Sequence, residues 1–401
     1  MPVPSSAPER LWTFTSLQSP AVDLSVRREV SAARLPFARG WEQNHSVIAH
    51  LDLDAFFAAV ELHRRPELRR LPLVVGGDPD RRGVVATASY AARAFGIRSA
   101  MSCAEARRRC PDVVFVRPDI ARYREWSRRV WDLVGRHSTC VEQTGIDEGY
   151  LVLDDTGADH ARRIQQAIRD QIRLSASLGV ATCKVVAKIA SDRDKPGGIT
   201  VVAPGEEAAF LAPLPLRALP GVGPRTGERL GAAGLVTVGD LAALSDTART
   251  ALLPGQVGTE LRDRARGIDP RRVATEPAER VSVSMEQTFD DDVTDAQILR
   301  NSIEVWADGL AARLVRDGQA ARTVTIKLRY SDFQTITRAH TVPAPTAERD
   351  AIAAVGGELL GRALHDRPPP VRLLGLGISG FSAHPQLALF PREACVSGVR
   401  R

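Results

Sequence analysis

Two short acidic clusters, far apart in the sequence, constrain the fold of this chain more than any other feature. The first is the Asp-Leu-Asp segment 52–54, which ends the apolar run 47–51. The second is the Asp-Glu pair 147–148, which is followed closely by the apolar run 150–153. Short apolar runs of this kind predict buried strands. Because a buried charge without a partner is costly, the acidic side chains need compensating cations.

The two predicted strands bring three carboxylates to one point if they are neighbours in one sheet. These are Asp52, Asp147 and Glu148. Carboxylate oxygens are the ligands that Mg²⁺ prefers, and a pair of such ions activates an attacking oxygen and stabilises a leaving phosphate. The residues alone leave another interpretation open, in which the acids cap turns or pair with nearby arginines.

Composition excludes several classes of protein. A chain of 401 residues is long enough for several domains, and 44% hydrophobic with 25% charged residues is typical of a soluble globular protein. No apolar stretch reaches the roughly 18 residues of a membrane span, and the amino terminus lacks the layout of a signal peptide. We therefore expect a cytoplasmic protein. The five cysteines show no Cys-x-x-Cys spacing, which gives no indication of a disulfide framework or a zinc site.

The positive charge favours a polyanionic partner. The formal net charge is +6 and the isoelectric point is near 9.3. Arginine supplies nearly all of this charge, and three of the few lysines, Lys184, Lys188 and Lys195, lie in one short segment. A compact ammonium is not interchangeable with a guanidinium, so a contact to a triphosphate is plausible there. Chance clustering is the alternative.

Alternating strands and helices up to about residue 203 predict an α/β or α+β core. Residues 1–45 are rich in Pro, Ser and Arg without periodicity, and we expect a flexible extension. A helical start at Tyr90 places Tyr90 and Arg93 on one face. The predicted strands are 47–51, 72–75, 84–88, 113–116, 150–153 and 177–181, and the predicted helices are 55–62, 103–109, 120–137, 161–174 and 184–191.

Two glycines, Gly221 and Gly223, flank a valine in the segment Leu-Pro-Gly-Val-Gly-Pro. Between two helices this pattern predicts a tight hairpin whose backbone N–H groups can bind a phosphate at the start of the second helix. Such helix-hairpin-helix motifs bind DNA without sequence preference. An ordinary turn between helices is the alternative.

A further domain with the order βαββαβ is predicted from residue 281. In the predicted strand 322–330, apolar residues alternate with polar ones that include Lys327 and Arg329. One face therefore packs against the helices, and the other is polar and basic. An open basic face suits a phosphate backbone, although it can also be an ordinary solvated face. The predicted elements are 281–285, 296–314, 322–330, 335–342, 347–363 and 371–379.

Four motifs, in this order, resemble the Y-family of translesion DNA polymerases, and most closely its bacterial DinB type. The resemblance covers residues 46 to 380. The motifs are Asp-Leu-Asp-Ala-Phe-Phe-Ala-Ala-Val-Glu at 52–61, Ala-Thr-Ala-Ser-Tyr-Ala-Ala-Arg at 86–93, Gly-Ile-Asp-Glu-Gly-Tyr-Leu at 145–151, and Ala-Lys-Ile-Ala-Ser at 187–191 followed by Lys-Pro-Gly at 195–197.

The resemblance implies an α+β multidomain fold, a right-hand polymerase with palm, fingers and thumb plus a βαββαβ little finger. It also implies a DNA-directed DNA polymerase of low processivity that bypasses damage, adding dNTPs to a primer 3′-hydroxyl by two-metal phosphoryl transfer. The implied domains are an extension at 1–45, palm at 46–55 and 118–203, fingers at 56–117, thumb at 204–270, linker at 271–280, little finger at 281–380 and a tail with a clamp-binding motif at 381–401.

The same resemblance implies roles for individual residues and a metal cofactor. Two Mg²⁺ ions are implied, with Mn²⁺ as a substitute, and phosphoryl transfer needs mainly such positioning and charge neutralisation. The implied sites are Asp52, Asp147 and Glu148 as catalytic and metal-binding carboxylates with the backbone carbonyl of Leu53, Thr87, Tyr90, Arg93 and Lys195 at the triphosphate, Phe57 as the steric gate under the sugar, and Gly221, Gly223, Lys327 and Arg329 at the DNA.

The tail carries an apolar motif that resembles the peptide with which bacterial polymerases bind the sliding clamp. Exposed apolar clusters mark interaction sites, so we expect a sliding clamp as a partner. The other expected partners are primer–template DNA and dNTP, and the enzyme is expected to be monomeric. The alternative is that the motif folds back onto the last domain. Its residues are Gln386, Leu387, Leu389 and Phe390.

The chain departs from the family pattern at three positions near the motifs. Gly145 stands where the family usually has Ser, Gly149 where it has Ala, and Cys183 where it has Asn. None of these is an implied metal ligand. A catalytically inactive relative that acts as a scaffold is the main alternative function, but such relatives lack the carboxylate set. A nucleotidyl cyclase with a similar palm is disfavoured by the hairpin and the basic βαββαβ domain.

Overall fold

The computed structural model of the chain describes residues 47–154, 157–276 and 279–382. These residues form two compact units, 47–276 and 279–382. Among them, no helix is long and apolar enough to cross a membrane. The expected extension at 1–45 and the clamp motif at 386–390 lie outside the described residues.

The first unit contains two sheets and a helical region. Its strands are β1 Val47–Leu53, β2 Leu73–Gly76, β3 Val85–Ala88, β4 Val114–Val116, β5 Val141–Gln143, β6 Glu148–Leu153, β7 Ala176–Ala181 and β8 Ile199–Val201. Its α-helices are α1 Phe56–Arg64, α2 Tyr90–Arg93, α3 Cys103–Arg109, α4 Ile120–His137, α5 Ala158–Ala167, α6 Lys184–Arg193, α7 Glu207–Leu211, α8 Pro224–Ala232, α9 Val238–Ala242, α10 Asp246–Leu252 and α11 Gly255–Ala265.

A five-stranded sheet with the order β5-β6-β1-β7-β8 forms the core of the first unit. β1 lies at its centre and runs antiparallel to both β6 and β7. Apart from Asp52, every residue of β1 is buried, as its apolar sequence predicts. The register places Asp52 opposite Glu148 on one side and opposite Ser177 on the other. The prediction that the two acidic clusters lie on neighbouring strands is therefore confirmed.

Helix α6 packs very closely on the central sheet because β7 contains a glycine at the contact. A Cβ atom at Gly179 would lie 2.0 Å from the carbonyl oxygen of Ala187 and 2.3 Å from the backbone nitrogen of Ser191. Only glycine allows this approach. The contact holds α6, with Lys184 and Lys188, against the strands that carry the acidic clusters.

A second, three-stranded sheet has the order β3-β2-β4. β3 leads directly into α2, whose first turn is capped by the Ser89 hydroxyl, which accepts a hydrogen bond from the backbone N–H of Ala92. This cap fixes the position of Tyr90 at the start of α2. The small sheet therefore delivers Tyr90 and Arg93 from a rigid element rather than from a free loop.

The glycine hairpin differs in detail from its prediction. Gly221 has φ of +103°, a conformation that a residue with a side chain rarely adopts, and α8 follows immediately. The element before the hairpin, however, is a single 3₁₀ turn, Leu216–Ala218, rather than a full helix. The segment is too short for more, because Pro215 precedes it and Pro220 follows it.

The second unit has the predicted order βαββαβ and a four-stranded antiparallel sheet, β11-β10-β12-β9. In β10, the apolar residues are buried and Lys327 and Arg329 lie on the opposite face, which confirms the predicted alternation. The elements are β9 Ser282–Val293, α12 Ala296–Arg316, β10 Ala320–Tyr330, β11 Thr335–Thr346, α13 Arg349–Asp366 and β12 Val371–Ser382.

Several predicted boundaries were wrong. β9 extends to Val293 rather than ending at 285, because an exposed strand can pair through its backbone while its side chains stay acidic. The predicted helix 161–174 consists of α5 and a π-helical turn, Ile168–Ile172. The short strands β5 and β8 had no sequence signal, since three partly exposed residues show too little apolar alternation.

Candidate active site

The candidate site lies where β1 ends and β6 begins. Asp52 and Glu148 are direct cross-strand partners. The backbone N–H of Leu53 donates a hydrogen bond to the carbonyl oxygen of Asp147 at 2.9 Å. These pairings fix the backbones of all three acidic residues, so the side chains predicted to converge are brought into one patch.

Asp52 is largely buried and is paired with a lysine. Its Oδ1 lies 2.8 Å from the Nζ of Lys195, which also lies 2.7 Å from Oδ1 of Asp192. Burial raises the pKa of Asp52 above its usual value, against the opposing effect of Lys195. Burial by itself lowers the pKa of Lys195, but its hydrogen bonds to Asp192 and Asp52 outweigh burial and raise it. Lys195 is therefore a stable cation beside Asp52.

Glu148 is held ionised by two basic neighbours. Its Oε2 accepts a hydrogen bond from Nζ of Lys188 and lies 3.4 Å from Nε2 of His50. The hydrogen bond with His50 and then that with Lys188 lower the pKa of Glu148 to about 2. His50 itself is buried, which lowers its pKa, and its Nδ1 lies 2.8 Å from the hydroxyl of Ser191.

Asp147 completes the acidic patch. Burial raises the pKa of Asp147, and the charge of Glu148 acts in the same direction. Among the described residues, no three His, Cys, Asp or Glu side chains are arranged closely enough to hold a metal ion. Asp52 and Glu148 instead form ion pairs with lysines. The donor set nevertheless fits a hard divalent cation chemically, because three carboxylates and a nearby backbone carbonyl supply oxygen ligands only.

The clustered lysines all have carboxylate partners in the central sheet region. Lys188 pairs with Glu148, and Lys195 with Asp52. Lys184, which is buried, forms an ion pair with Glu142 of β5. The clustering seen in the sequence therefore has a structural basis, since each ammonium compensates an acid on β1, β5 or β6.

The residues expected to contact a triphosphate lie near the same patch. The hydroxyl of Tyr90 donates to Oδ1 of Asp54 at 3.3 Å, and the guanidinium of Arg93 lies 4.8 Å from the centre of the Tyr90 ring. Burial raises the pKa of Tyr90 to about 12, an effect that the charge of Lys195 partly opposes. Thr87 lies half-buried on β3, opposite Val75. The structure thus brings Tyr90, Arg93 and Lys195 together, with Thr87 on the adjoining strand.

Phe56 and Phe57, which are adjacent on α1, have different environments. Phe56 is 1% exposed and belongs to the core. Phe57 is only half-buried, and its ring is stacked on Tyr123 with centroids 4.2 Å apart and planes 14° apart. The Tyr123 hydroxyl donates to Oε1 of Glu61 at 2.8 Å. Phe57 therefore has a fixed ring that is still accessible, whereas Phe56 does not.

Sequence reasoning missed a second role of the Asp-Leu-Asp motif. Asp54 is 4% exposed and accepts hydrogen bonds from the hydroxyls of Ser175 (2.6 Å) and Ser177 (2.8 Å) and from the backbone N–H of Gly197 (2.8 Å). Together with the bond from Tyr90, these contacts join β1, β7, α2 and the turn that carries Lys195. In the sequence, the Ser-x-Ser spacing at 175 and 177 could have indicated these hydrogen bonds.

The departure at Gly149 has a steric cause. A Cβ atom there would lie 2.6 Å from the Cη2 atom of Trp131 and 2.6 Å from the carbonyl oxygen of Glu142. Any side chain would displace the indole of Trp131 or strand β5. At Gly145, the nearest atom to such a Cβ is Cγ of Glu148, at 3.1 Å.

The residues expected to bind DNA make few contacts within the protein. Gly223 is the N-cap residue of α8. It has no side chain, so the first N–H groups of that helix receive no side-chain hydrogen bond from the cap. In the second unit, Nζ of Lys327 lies 2.8 Å from Oε2 of Glu286. Nε of Arg329 donates to the hydroxyl of Thr335 at 2.9 Å. Both side chains remain partly exposed.

Three family models match the chain. The impB/mucB/samB family matches residues 51–192, its C-terminal domain matches 280–389, and the IMS family HHH motif matches 204–235. The last match covers the glycine hairpin, and the first covers both acidic clusters.

Named relatives and solved structures match over most of the chain. DNA polymerase IV of Halorhodospira halophila is 44% identical over 342 residues, which cover 83% of this chain and 95% of the relative. DNA polymerase IV of Dehalococcoides mccartyi strain ATCC BAA-2266 is 40% identical over 354 residues, covering 86% and 90%. A Y-family DNA polymerase chimera of Dbh and Dpo4 has a TM-score of 0.76 at 25% identity, covering 83% of this chain and 98% of the chimera.

The fold, the acidic patch and these matches define a translesion DNA polymerase, a DNA-directed enzyme. The chain belongs to the Y-family of DNA polymerases, in its DinB or DNA polymerase IV branch. The family and the right-hand fold expected from the four motifs are confirmed.

The hydrogen bonds that Asp54 accepts from Tyr90, Ser175, Ser177 and Gly197, here called the Asp54 network, lead to the first prediction. Asp54→Ala removes the acceptor of the buried Ser177 hydroxyl and of the part-buried Ser175 hydroxyl and Gly197 N–H, and we expect it to lower the free energy of unfolding by about 3 kcal/mol. Urea unfolding of the full chain measures this change. Asp159→Ala, which removes an exposed ion pair with Arg162, is the control and should have little effect. Equal losses in the two variants would contradict the proposed anchoring role of Asp54.

Proposed function

We propose that this enzyme adds dNTPs to the 3′-hydroxyl of a primer on template DNA, with two Mg²⁺ ions held by Asp52, Asp147, Glu148 and the backbone carbonyl of Leu53. Mn²⁺ is expected to substitute. The observation that carries the proposal is the cross-strand pairing of Asp52 with Glu148, which unites both acidic clusters. When bound, the ions activate the attacking oxygen and stabilise the leaving pyrophosphate.

The ionisation states support this assignment. Glu148, with a pKa of about 2, is a carboxylate throughout the physiological range. Burial raises the pKa values of Asp52 and Asp147, and a bound divalent cation would favour the ionised form of both. In the absence of metal, Lys195 provides part of this compensation for Asp52. We expect Lys195 to exchange this contact for a phosphate when substrate binds.

The proposed substrate contacts lie around the same patch. Tyr90, Arg93 and Lys195, with Thr87 beside them, supply hydroxyl, guanidinium and ammonium groups to the triphosphate. These are the groups that position and neutralise a transferring phosphoryl group. The Asp54 network supports two of them, since it binds the hydroxyl of Tyr90 and the backbone of Gly197, two residues after Lys195.

DNA is proposed to bind through backbone contacts in both units. Gly221 and Gly223 present N–H groups at the start of α8, and Lys327 and Arg329 provide charge on the open sheet face of the second unit. Such contacts carry no sequence information. The catalytically inactive scaffold is not favoured, because the chain retains all three carboxylates in register. Bypass of damaged template at low processivity follows from the family.

The second prediction tests the metal assignment. Asp147→Ala or Glu148→Ala should reduce primer extension with Mg²⁺ and all four dNTPs by at least about a thousandfold, since each removes transition-state charge stabilisation. Gel-shift affinity for primer–template should change little, because the proposed DNA contacts involve other residues. Asp159→Ala, an exposed acid away from the patch, is the matched control. Extension at the wild-type rate by either variant would refute the assignment.

The third prediction concerns sugar selection. A ring at Phe57 would collide with a ribose 2′-hydroxyl, so Phe57→Ala should raise incorporation of rNTP relative to dNTP by roughly a hundredfold or more. Phe57→Tyr keeps the ring and its stacking surface for Tyr123, and should retain the selectivity. Single-nucleotide kinetics give the ratio for each enzyme. Unchanged selectivity in Phe57→Ala would mean that another residue is the gate.

The tail is proposed to bind a sliding clamp, and the enzyme is proposed to act as a cytoplasmic monomer. Short peptides bury little surface, so tethering to a clamp on DNA would act mainly by raising local concentration. As the fourth prediction, a variant with Gln386→Ala, Leu389→Ala and Phe390→Ala should lose clamp binding and clamp-stimulated synthesis. His384→Ala, just outside the motif, should keep both. Wild-type clamp affinity in the triple variant would show that the motif is not the docking site.

A further inference from the structure

The turn between β10 and β11 displays an aromatic side chain in an unfavourable backbone conformation. Phe333 is 62% exposed and has φ of +65°. A left-handed conformation is rare for a residue with a bulky side chain. An exposed phenyl ring also contributes no hydrophobic stabilisation. Such a residue persists only where its surroundings enforce it, and strained residues of this kind cluster at functional positions.

The surroundings of Phe333 do enforce this conformation. The backbone N–H of Tyr330 donates to the carbonyl oxygen of Gln334 at 2.9 Å, and that of Phe333 donates to the carbonyl oxygen of Tyr330 at 3.0 Å. The guanidinium of Arg367 bridges the turn, donating to Oε1 of Gln334 at 2.6 Å and to Oδ2 of Asp332 at 2.7 Å. The tip is therefore rigid and holds the exposed ring in one place.

A β-bulge places a guanidinium against the same ring. Val371 and Leu373 of β12 pair with consecutive residues of β10, which leaves Arg372 as the extra residue of the bulge. Bulges redirect a side chain from the regular pattern of the strand. The Cζ atom of Arg372 lies 4.5 Å from the centre of the Phe333 ring.

The charge around the ring is available for an anion. Within the described part of the second unit, neither Arg372 nor the neighbouring Arg329 forms an ion pair, whereas Arg367 is occupied by Asp332. An exposed aromatic ring beside the guanidinium of Arg372, with a second cation at Arg329 on the strand that pairs with β12, is a pattern with which proteins bind single-stranded nucleic acid, by stacking on a base and attracting its phosphate. The flanking Asp332 and Gln334 are polar, which disfavours a hydrophobic protein partner.

We infer that Phe333 and Arg372 form a stacking site for one unpaired nucleobase of the template strand, with Arg329 attracting the adjoining phosphate. This inference rests on the proposed copying of template DNA, whose substrate carries unpaired template bases beyond the primer end. The site shares Arg329 with the backbone contacts proposed above, but Phe333 and Arg372 add recognition of the face of a base, which the metal, triphosphate and backbone contacts do not provide. It therefore favours single-stranded template over a blunt duplex.

The test compares two DNA probes that share one duplex. One is blunt, and the other has a 5′ template overhang; the ratio of their affinities measures the contribution of unpaired bases. We expect the wild type to prefer the overhang, Phe333→Leu to reduce the affinity ratio by about tenfold, and Phe333→Trp to retain it. Val315→Ala, which alters an exposed apolar residue of α12, is the matched control. Thermal unfolding checks that each variant is folded.

A second measurement locates the contact. With 2-aminopurine placed at each overhang position in turn, the wild type should change the fluorescence at one position, and Phe333→Leu should abolish that change. An unchanged affinity ratio in Phe333→Leu, or a wild type that binds both probes equally, would overturn the inference while leaving the polymerase function intact. Failure of the wild type to bind either probe would instead contradict the proposed function.

Discussion

The burial of β1 between two antiparallel strands is the constraint on which the active site depends. Because β1 is buried along nearly its whole length, its register with β6 and β7 is fixed by packing. A slip of one residue would move Asp52 away from Glu148 and place a leucine at the partly exposed position that Asp52 occupies. The hydrophobic core therefore sets the position of the carboxylates, and the close contact of α6 at Gly179 adds the lysines that compensate them.

That compensation explains how an acidic patch is tolerated in the protein without metal. Lys188 and Lys195 each contact one of the acids, and removal of one partner of a partly buried pair is more costly than removal of both. The same lysines neutralise part of the negative charge of the patch, so an incoming divalent cation must compete with ammonium groups. We expect substrate phosphates to assist by offering Lys195 an alternative partner, which couples metal binding to nucleotide binding.

Much of this site could be predicted from the sequence, for physical reasons that also explain what was missed. Apolar runs located β1 and β6, and the resemblance to the family supplied the expected roles of Tyr90, Arg93, Lys195 and Phe57, which stay predictions. The Asp54 network was missed because it joins residues that are distant in the sequence and carry no apolar pattern. The bulge at Arg372 was missed for a related reason: it arises from pairing between strands, whereas sequence periodicity describes one strand at a time.

The departure at Gly149 shows how a motif residue and the core adjust to each other. Family resemblance implies Ala at this position, yet the indole of Trp131 occupies the space of its methyl group. Trp131 is 8% exposed and belongs to the core beneath the sheet. The indole ring fills the volume that a methyl group at position 149 would occupy, so the core stays densely packed. Since Gly149 directly follows Glu148, a side chain at position 149 would disturb β6 next to this carboxylate.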